Sequence, residues 1–566
     1  MPDSVPKPQR KPSNQRGRAQ EVWLLVAWVV LPLLPFVPGA ISIDGPVFVE
    51  VAQQILIDPG DPYGFEMIWD PTSPKAAVFN RNPPLLSYYL APFIALFGES
   101  DAVLHAALLP FPLIAALAFL GISRRMCGEG LAPSALLVST PAFLVLATTL
   151  MLDVPTLALW LASVFALLRA SETGLARWGW AAGFCAAAAG LMKYVGFSTA
   201  PLLAAGVVLL SKQVGWKRAA PMLRAVGVPI AVWALWGAYT HAVYGEVHFL
   251  GSTDVVTDMK KWQIDEFWNH TSTAFVYIGA ALLFPIAIWL RVLLRGSKGI
   301  ELAIVGVLIG TVVVVYVLPE GDPPRRVPLD LEGSLLAALG FAGSFLLVAR
   351  SLRRKLLLGA PTDLFMVLWL GGTLYFSMFR NWHVNAADAL LAAPPLLLLL
   401  FRDRDLRPTK LAALALAAVA LPLSFLLAWA DMEQADSYRT AAANIAAEIG
   451  DQAGARYFVG QWGLQHYLEQ QGFRAVVPPM YGRTDLAAGD WIATARNVAQ
   501  LDVSQNMSDY QMHQVWSRSF RSWLPLRTTN ADAGAGFYSH HSGYVPWGWS
   551  SEPIEHFQLG RVTGRR

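Results

Sequence analysis

EVWLLVAWVVLPLLPFVPGAISID occupies residues 21–44, and its reading decides the fold. From Val22 to Ile41 no charged side chain interrupts it. At about 1.5 Å per residue, some twenty helical residues cross the roughly 30 Å hydrocarbon core of a bilayer. The run is too long for the apolar core of a cleaved signal, so it reads as a retained first helix. A carboxylate, Asp44, marks its end. A long hydrophilic loop follows, expected over 42–101 and containing Glu50 and the string NRNPPLLSYY at 80–89. Beyond it, apolar spans succeed one another almost to residue 430. A large early loop carrying carboxylates and paired prolines fits an enzyme working at the water–lipid boundary better than a channel or transporter.

Composition agrees. Of 566 residues 55% are apolar and 15% charged, with a mean hydropathy of +0.42. A soluble protein with so few charges lacks the polar surface to stay dissolved. The chain divides into a basic, proline-rich tail (1–21), a polytopic membrane domain (22–430) and a C-terminal domain of globular composition (431–566). A net charge of +3 gives no reason to expect nucleic acid. The two cysteines, Cys127 and Cys185, have no His or Cys neighbour at metal-ligand spacing, and no disulfide is expected.

Thirteen spans are expected, over 22–41, 102–123, 131–150, 153–170, 177–192, 194–211, 225–243, 273–291, 300–318, 331–349, 363–379, 386–401 and 411–430. The basic tail places the N-terminus in the cytoplasm, and alternate loops should then be rich in Lys and Arg. They are, from Arg124/Arg125 through Lys212/Lys217/Arg218/Arg224 and Arg350/Arg353/Arg354/Lys355 to Arg402/Arg404/Arg407/Lys410. The odd number of spans places 431–566 outside the cytoplasm, in what the family likeness below makes a bacterial inner or plasma membrane. The apolar stretch 83–98 holds three prolines and would invert every later loop if it crossed. It is therefore expected to lie in the outer interface.

The C-terminal domain alternates helical and strand signals: helix over 438–453, strand over 455–460, helix over 464–472 and strand over 474–479. A small α/β domain is expected. Its tail, GFYSHHSGYVPWGWSSEP at 536–553, reads first as a loop against the membrane interface and second as a substrate-binding segment. His540 and His541 have no carboxylate at a metal-ligand spacing, and no metal is assigned.

Candidate chemistry collects at the outer ends of the spans. A carboxylate there, as at Asp44 and at Asp153 in LMLDVPTLALW, is either a helix end or a general base in a low dielectric. Lys193 lies at the outer end of a span, on the side where positive charge is disfavoured. It either snorkels to the interface or binds a phosphate, as Arg81 and Arg380 are also placed to do. Asn82 before Pro83-Pro84 is held extended and turns the chain into the interfacial segment. His383 is a further polar candidate. Nucleotide-binding, zinc-helix and nucleophile-elbow motifs are absent from the sequence, so an activated substrate is expected through the lipid phase.

Together these residues resemble the type C glycosyltransferases, the multi-spanning enzymes that use polyprenyl-phosphate sugars. The likeness is to the branch holding protein O-mannosyltransferases and lipid A aminoarabinose transferases. It rests on Asp44 after the first span, NPPL at 82–85, LFGESDAVLHAALLPF at 96–111, LDVPTLAL at 152–159, AGLMKYVGFSTAPLL at 189–203 and the proline-rich ADALLAAPPLLLLL at 387–400. The resemblance implies Asp44 as catalytic base in an inverting transfer and Asp153 as organiser of the site. It implies Lys193 with Arg81 or Arg380 as holders of the donor phosphate, with Asn82 and His383 beside the substrate. The implied partners are a polyprenyl-phosphate sugar donor and a lipid, glycan or protein acceptor, within membrane lipid. No organic cofactor is implied, and a divalent metal is left open. The sequence departs from its relatives in lacking an acidic partner directly after Asp44, in His105, and in Ala387-Asp388 before the proline-rich span, where relatives often carry arginine. A flippase for lipid-linked glycans and a non-catalytic scaffold are the alternatives. The first would place ionisable groups across the bilayer midplane rather than at its outer edge.

Overall fold

A computed structural model describes residues 15–71, 73–251, 264–285, 288, 331–358, 361–381, 383–482 and 484–566. The span expected over 300–318, the end of that over 273–291 and the loop basic residues Arg291, Arg295 and Lys298 lie outside the described residues. Among the described residues eight helices are long and apolar enough to cross a membrane, so the fold is mainly α and integral to a membrane.

Helix α1 (Gln15–Leu33) is followed by two short apolar helices in the first loop, α2 (Gly45–Ile57) and α3 (Leu85–Phe97). Each has 13 residues, about 20 Å, too short to cross. Pro92 inside α3 and Gly98 at its end, with φ 78°, limit it further. The stretch 83–98 is thus helical as expected.

The span expected over 131–150 is two helices, α4 (Leu131–Val138) and α5 (Pro141–Ala147). The break lies at Ser139-Thr140. Pro141 holds Thr140 extended, with ψ 146°, and the Thr140 hydroxyl accepts from the Phe143 amide to cap the second piece. Helices α6 (Asp153–Thr173), α7 (Ala176–Met192), α8 (Thr199–Val214) and α9 (Arg224–Tyr244) follow the expected spans. Helix α10 (Ile264–Leu282) starts nine residues ahead of the span expected over 273–291 and ends before Leu283, whose φ is 62°, whereas α11 (Leu331–Leu358), α12 (Pro361–Tyr375) and α13 (Ala386–Arg402) follow theirs. The last span and the first C-terminal helix are one element, α14 (Lys410–Ile449), so the expected boundary at 430/431 falls inside a continuous helix.

Backbones approach closely where a glycine faces a neighbouring chain segment. A methyl group on Gly179 would stand 2.0 Å from the Pro221 carbonyl oxygen, and one on Gly183 2.5 Å from that of Arg224. The four-residue spacing of these two glycines lets α7 lie directly on the chain entering α9, the small-residue packing favoured in lipid.

The bundle has two chemically distinct ends. At one, Glu21 meets Arg124 and Lys410, each at 2.6 Å, while Arg350 pairs with Asp403 at 2.7 Å and Arg402 with Asp363 at 3.1 Å. At the other lie the first loop and the C-terminal domain. That domain is built on a five-stranded mixed sheet. Strands β1 (Arg456–Val459), β2 (Arg474–Ala475) and β3 (Trp491–Ala495) are parallel, with α15 (Trp462–Gln470) crossing between the first two. The long strands β4 (Tyr510–Phe520) and β5 (Glu555–Arg565) pair antiparallel, giving the order β2-β1-β3-β5-β4. The insertion between them, residues 521–554, leaves the domain and enters the helical body. Its Phe537 is fully buried and shares one hydrophobic core with Leu25, Phe119 and Leu427. The aromatic tail therefore packs among helices rather than along a membrane surface.

Candidate active site

The first span ends in a 3-10 turn, Leu34–Phe36, and the next residues are clamped by the C-terminal domain. The Ala40 amide donates to Asp436 Oδ1 at 2.9 Å and the Ile41 amide to the Tyr467 hydroxyl at 2.8 Å. Arg439 reaches the Pro38 carbonyl at 3.2 Å and also pairs with Asp101 at 2.6 Å. A methyl group on Gly463 would meet the Ile41 carbonyl at 2.6 Å, so only glycine lets α15 sit this close. Within the clamp Ile43 adopts φ 53°, a left-handed conformation that a β-branched residue enters at a cost of about 1–3 kcal/mol. The strained turn presents Asp44. Aspartate at a helix N-cap normally spends its carboxylate on the helix's own amides. Asp44 occupies that position for α2 yet makes no side-chain cap.

Asp153 is the first residue of α6 and is buried. Lys193, in extended conformation just past α7, places Nζ 2.7 Å from Asp153 Oδ1. Lys193 also acts electrostatically on Asp44 and on Asp388. Three helix starts and one helix end thus bring three carboxylates around one ammonium. Burial, with Asp153 adding to it and Lys193 opposing, pushes the Asp44 carboxyl up to about 6.

Asp388 is the member of this group that sequence reasoning noted only as a departure from its relatives. It forms a reciprocal capping box with Asn385, whose side chain accepts from the Asp388 amide at 3.1 Å. Asn381 donates to both its oxygens, at 3.1 and 3.2 Å. The readable signal was the Asn-x-x-Asp spacing ahead of the proline-rich helix. His383 lies beside it: Asn385 Nδ2 is 3.0 Å from His383 Nε2, and Lys193 acts on this imidazole too.

Arg81 and Asn82 join the site indirectly. Arg81 pairs with Asp70 at 3.2 Å, and the Asn82 carbonyl accepts from the Tyr63 hydroxyl at 2.6 Å. Tyr63 stacks on His248 with centroids 4.9 Å apart, and His248 Nδ1 is 2.5 Å from the hydroxyl of Tyr194, the neighbour of Lys193. Arg380 is exposed at the end of a π-turn, Phe376–Arg380. Among the described residues no hydrogen bond or ion pair joins it to the cluster; its neighbour Asn381 makes that contact. Among the described residues no three His, Cys, Asp or Glu side chains are grouped to hold a metal ion.

The arrangement offers an uncapped carboxylate of raised pKa next to an ammonium fixed by a second carboxylate. It can take a proton from a hydroxyl or amine while holding an anion nearby.

No curated protein sequence matches the chain. It is similar to the oligosaccharyltransferase of Archaeoglobus fulgidus, with a TM-score of 0.50 and 12% identity, covering 89% of this chain and 73% of that one. ArnT from Cupriavidus metallidurans aligns with a TM-score of 0.42 and 14% identity, over 84% of this chain and 93% of its own. Residues 81–237 match the family model described as dolichyl-phosphate-mannose-protein mannosyltransferase. That segment contains Arg81, Asn82, Asp153 and Lys193, and over 89% of its length the chain shares the fold of the Archaeoglobus fulgidus oligosaccharyltransferase.

Proposed function

We propose that this protein transfers a sugar from a polyprenyl-phosphate carrier to an acceptor at the extracytoplasmic face of the membrane, with Asp44 as general base. The observation that carries this reading is the strained, clamped turn at Ile43–Asp44, which sets an uncapped carboxylate within electrostatic reach of the Lys193–Asp153 pair. The acceptor O–H or N–H attacks the anomeric carbon and its proton passes to Asp44. The bond from that carbon to the phosphate oxygen breaks, and the polyprenyl phosphate leaves with the bonding electrons. Lys193 neutralises the charge that develops on the leaving phosphate, and Asp153 fixes Lys193. Arg81, Asn82, Arg380 and His383 bind substrate around this centre.

The match of residues 81–237 to a family described by a dolichyl-phosphate sugar supports a lipid-phosphate donor. The two ends of the bundle support the orientation. The Arg- and Lys-rich end is cytoplasmic, with the N-terminus, and the end bearing Asp44, Asp153 and the C-terminal domain faces outward.

Purified protein in nanodiscs, given a panel of polyprenyl-phosphate sugars, tests the reading. Wild type should transfer sugar, and Asp44→Asn should lose about 10²–10⁴-fold in kcat while retaining its fold. Equal transfer by both proteins moves the base elsewhere. Binding of donor without transfer or hydrolysis points to a flippase.

A further inference from the structure

The insertion 521–554 is fixed to the helical body at several points. The Ala386 amide donates to the Phe537 carbonyl at 2.9 Å, and the Tyr538 hydroxyl donates to Asp431 at 2.7 Å. Tyr277 donates to the carbonyls of Gly536 and Gly543, on either side of the turn, and Trp547 Nε1 to the Ala280 carbonyl at 3.2 Å. Between these anchors lie His540 and His541. The His540 amide donates to the Val384 carbonyl at 2.9 Å, and its Nδ1 accepts from the Val384 amide at 3.0 Å. Accepting through Nδ1 leaves the ring proton on Nε2.

This seating gathers four imidazoles from three parts of the chain. Ring centroids are 4.3 Å apart for His540 and His541, 5.0 Å for His270 and His540, and 6.4 Å for His383 and His541. His540 and His270 are buried, whereas His541 is exposed. Lys193 acts electrostatically on His383 as well as on Asp44, so this ammonium lies within reach of both His383 and the carboxylates.

The two groups suit different parts of a reacting donor. A phosphate offers only acceptors and repels carboxylates, so it belongs beside N–H donors and away from Asp44 and Asp153. In an inverting displacement, base and leaving group also lie on opposite faces of the sugar. We propose that the C-terminal domain completes the phosphate end of the site, with His541 as a phosphate ligand alongside Lys193 and His383. The inference rests on the transfer reading above. The recognised chemistry is a phosphate ester or free phosphate.

The test is binding to full-length protein in nanodiscs. Undecaprenyl phosphate, undecaprenol and inorganic phosphate serve as probes, with His541→Gln and His541→Arg as variants. Loss of one charge-assisted hydrogen bond should weaken undecaprenyl phosphate binding by about tenfold or more in His541→Gln. Undecaprenol binding should not change, and His541→Arg should restore affinity for the phosphate. In turnover the same variant should raise the donor KM more than it lowers kcat. Competition by inorganic phosphate that is weakened in parallel would assign the ligand as phosphate itself. Competition absent at millimolar phosphate would assign the lipid ester. A His541→Gln protein of native Tm that binds every probe as wild type does overturns the proposal. Wild type that neither binds nor uses any polyprenyl phosphate overturns the transfer reading instead.

Discussion

Asp44 combines a half-buried position, no capping partner and a carboxyl raised to about 6 by burial. As a base it works only when ionised. Below about pH 6 the proton-bound fraction grows, so kcat/KM should fall about tenfold per unit, with a plateau above. A pH–rate profile checks this, and the acid limb should vanish from whatever residual activity Asp44→Asn retains. The Lys193–Asp153 pair gives a second expectation. Removing one partner strands the other in a site that Asp153 shares almost wholly with protein. Lys193→Met alone should destabilise the protein by about 3 kcal/mol, and Lys193→Met with Asp153→Asn should recover most of that. Activity should not recover with stability, because the phosphate-facing ammonium is gone from both. A double variant as active as wild type would make the pair purely structural.

At the scale of elements, the helices follow from apolar runs bounded by breakers, and their contacts follow from small residues. Gly183 is the point where α7 meets the start of α9 with no room for a Cβ. Gly183→Leu should separate these helices and lower Tm by several degrees, read by a thermal unfolding scan in detergent, whereas a leucine at lipid-facing Phe184 should change little. The break between α4 and α5 shows what a hydropathy count misses. Residues 131–150 carry no charge, but Pro141 removes a backbone donor and drives Thr140 out of the helical region. In the same way 411–430 and 438–453 looked separate because composition changes near 431. The backbone does not register that change, and α14 runs through it.

At the scale of the molecule, the C-terminal domain is part of the site rather than an appendage. Tyr467 holds both the Ile41 amide and Asp101, which fixes the turn that carries Asp44. Tyr467→Phe removes two hydrogen bonds and should cost about 1–3 kcal/mol. It should also lower kcat several-fold with a smaller change in donor KM, since the base loses its position while the phosphate end stays intact. Steady-state kinetics separate the two effects.

How much was legible divides along the same line. The sequence alone determined the membrane class, the order of most helices, the short helix in the first loop and the α/β character of the last domain. Each of these depends on local periodicity, length and breakers, which a chain carries within about twenty residues. It also singled out Asp44, Asp153 and Lys193, because a charge at the edge of an apolar run is conspicuous and costly. Tertiary structure alone decided that Lys193 reaches Asp153 across 40 residues of chain, and that Asp388 joins them behind its own capping box. It decided that Ile43 is held strained by a domain some 400 residues away, and that an aromatic tail enters the bundle to set His541 beside His383. Such contacts depend on which helix faces meet, and close packing fixes that only when the whole chain is folded.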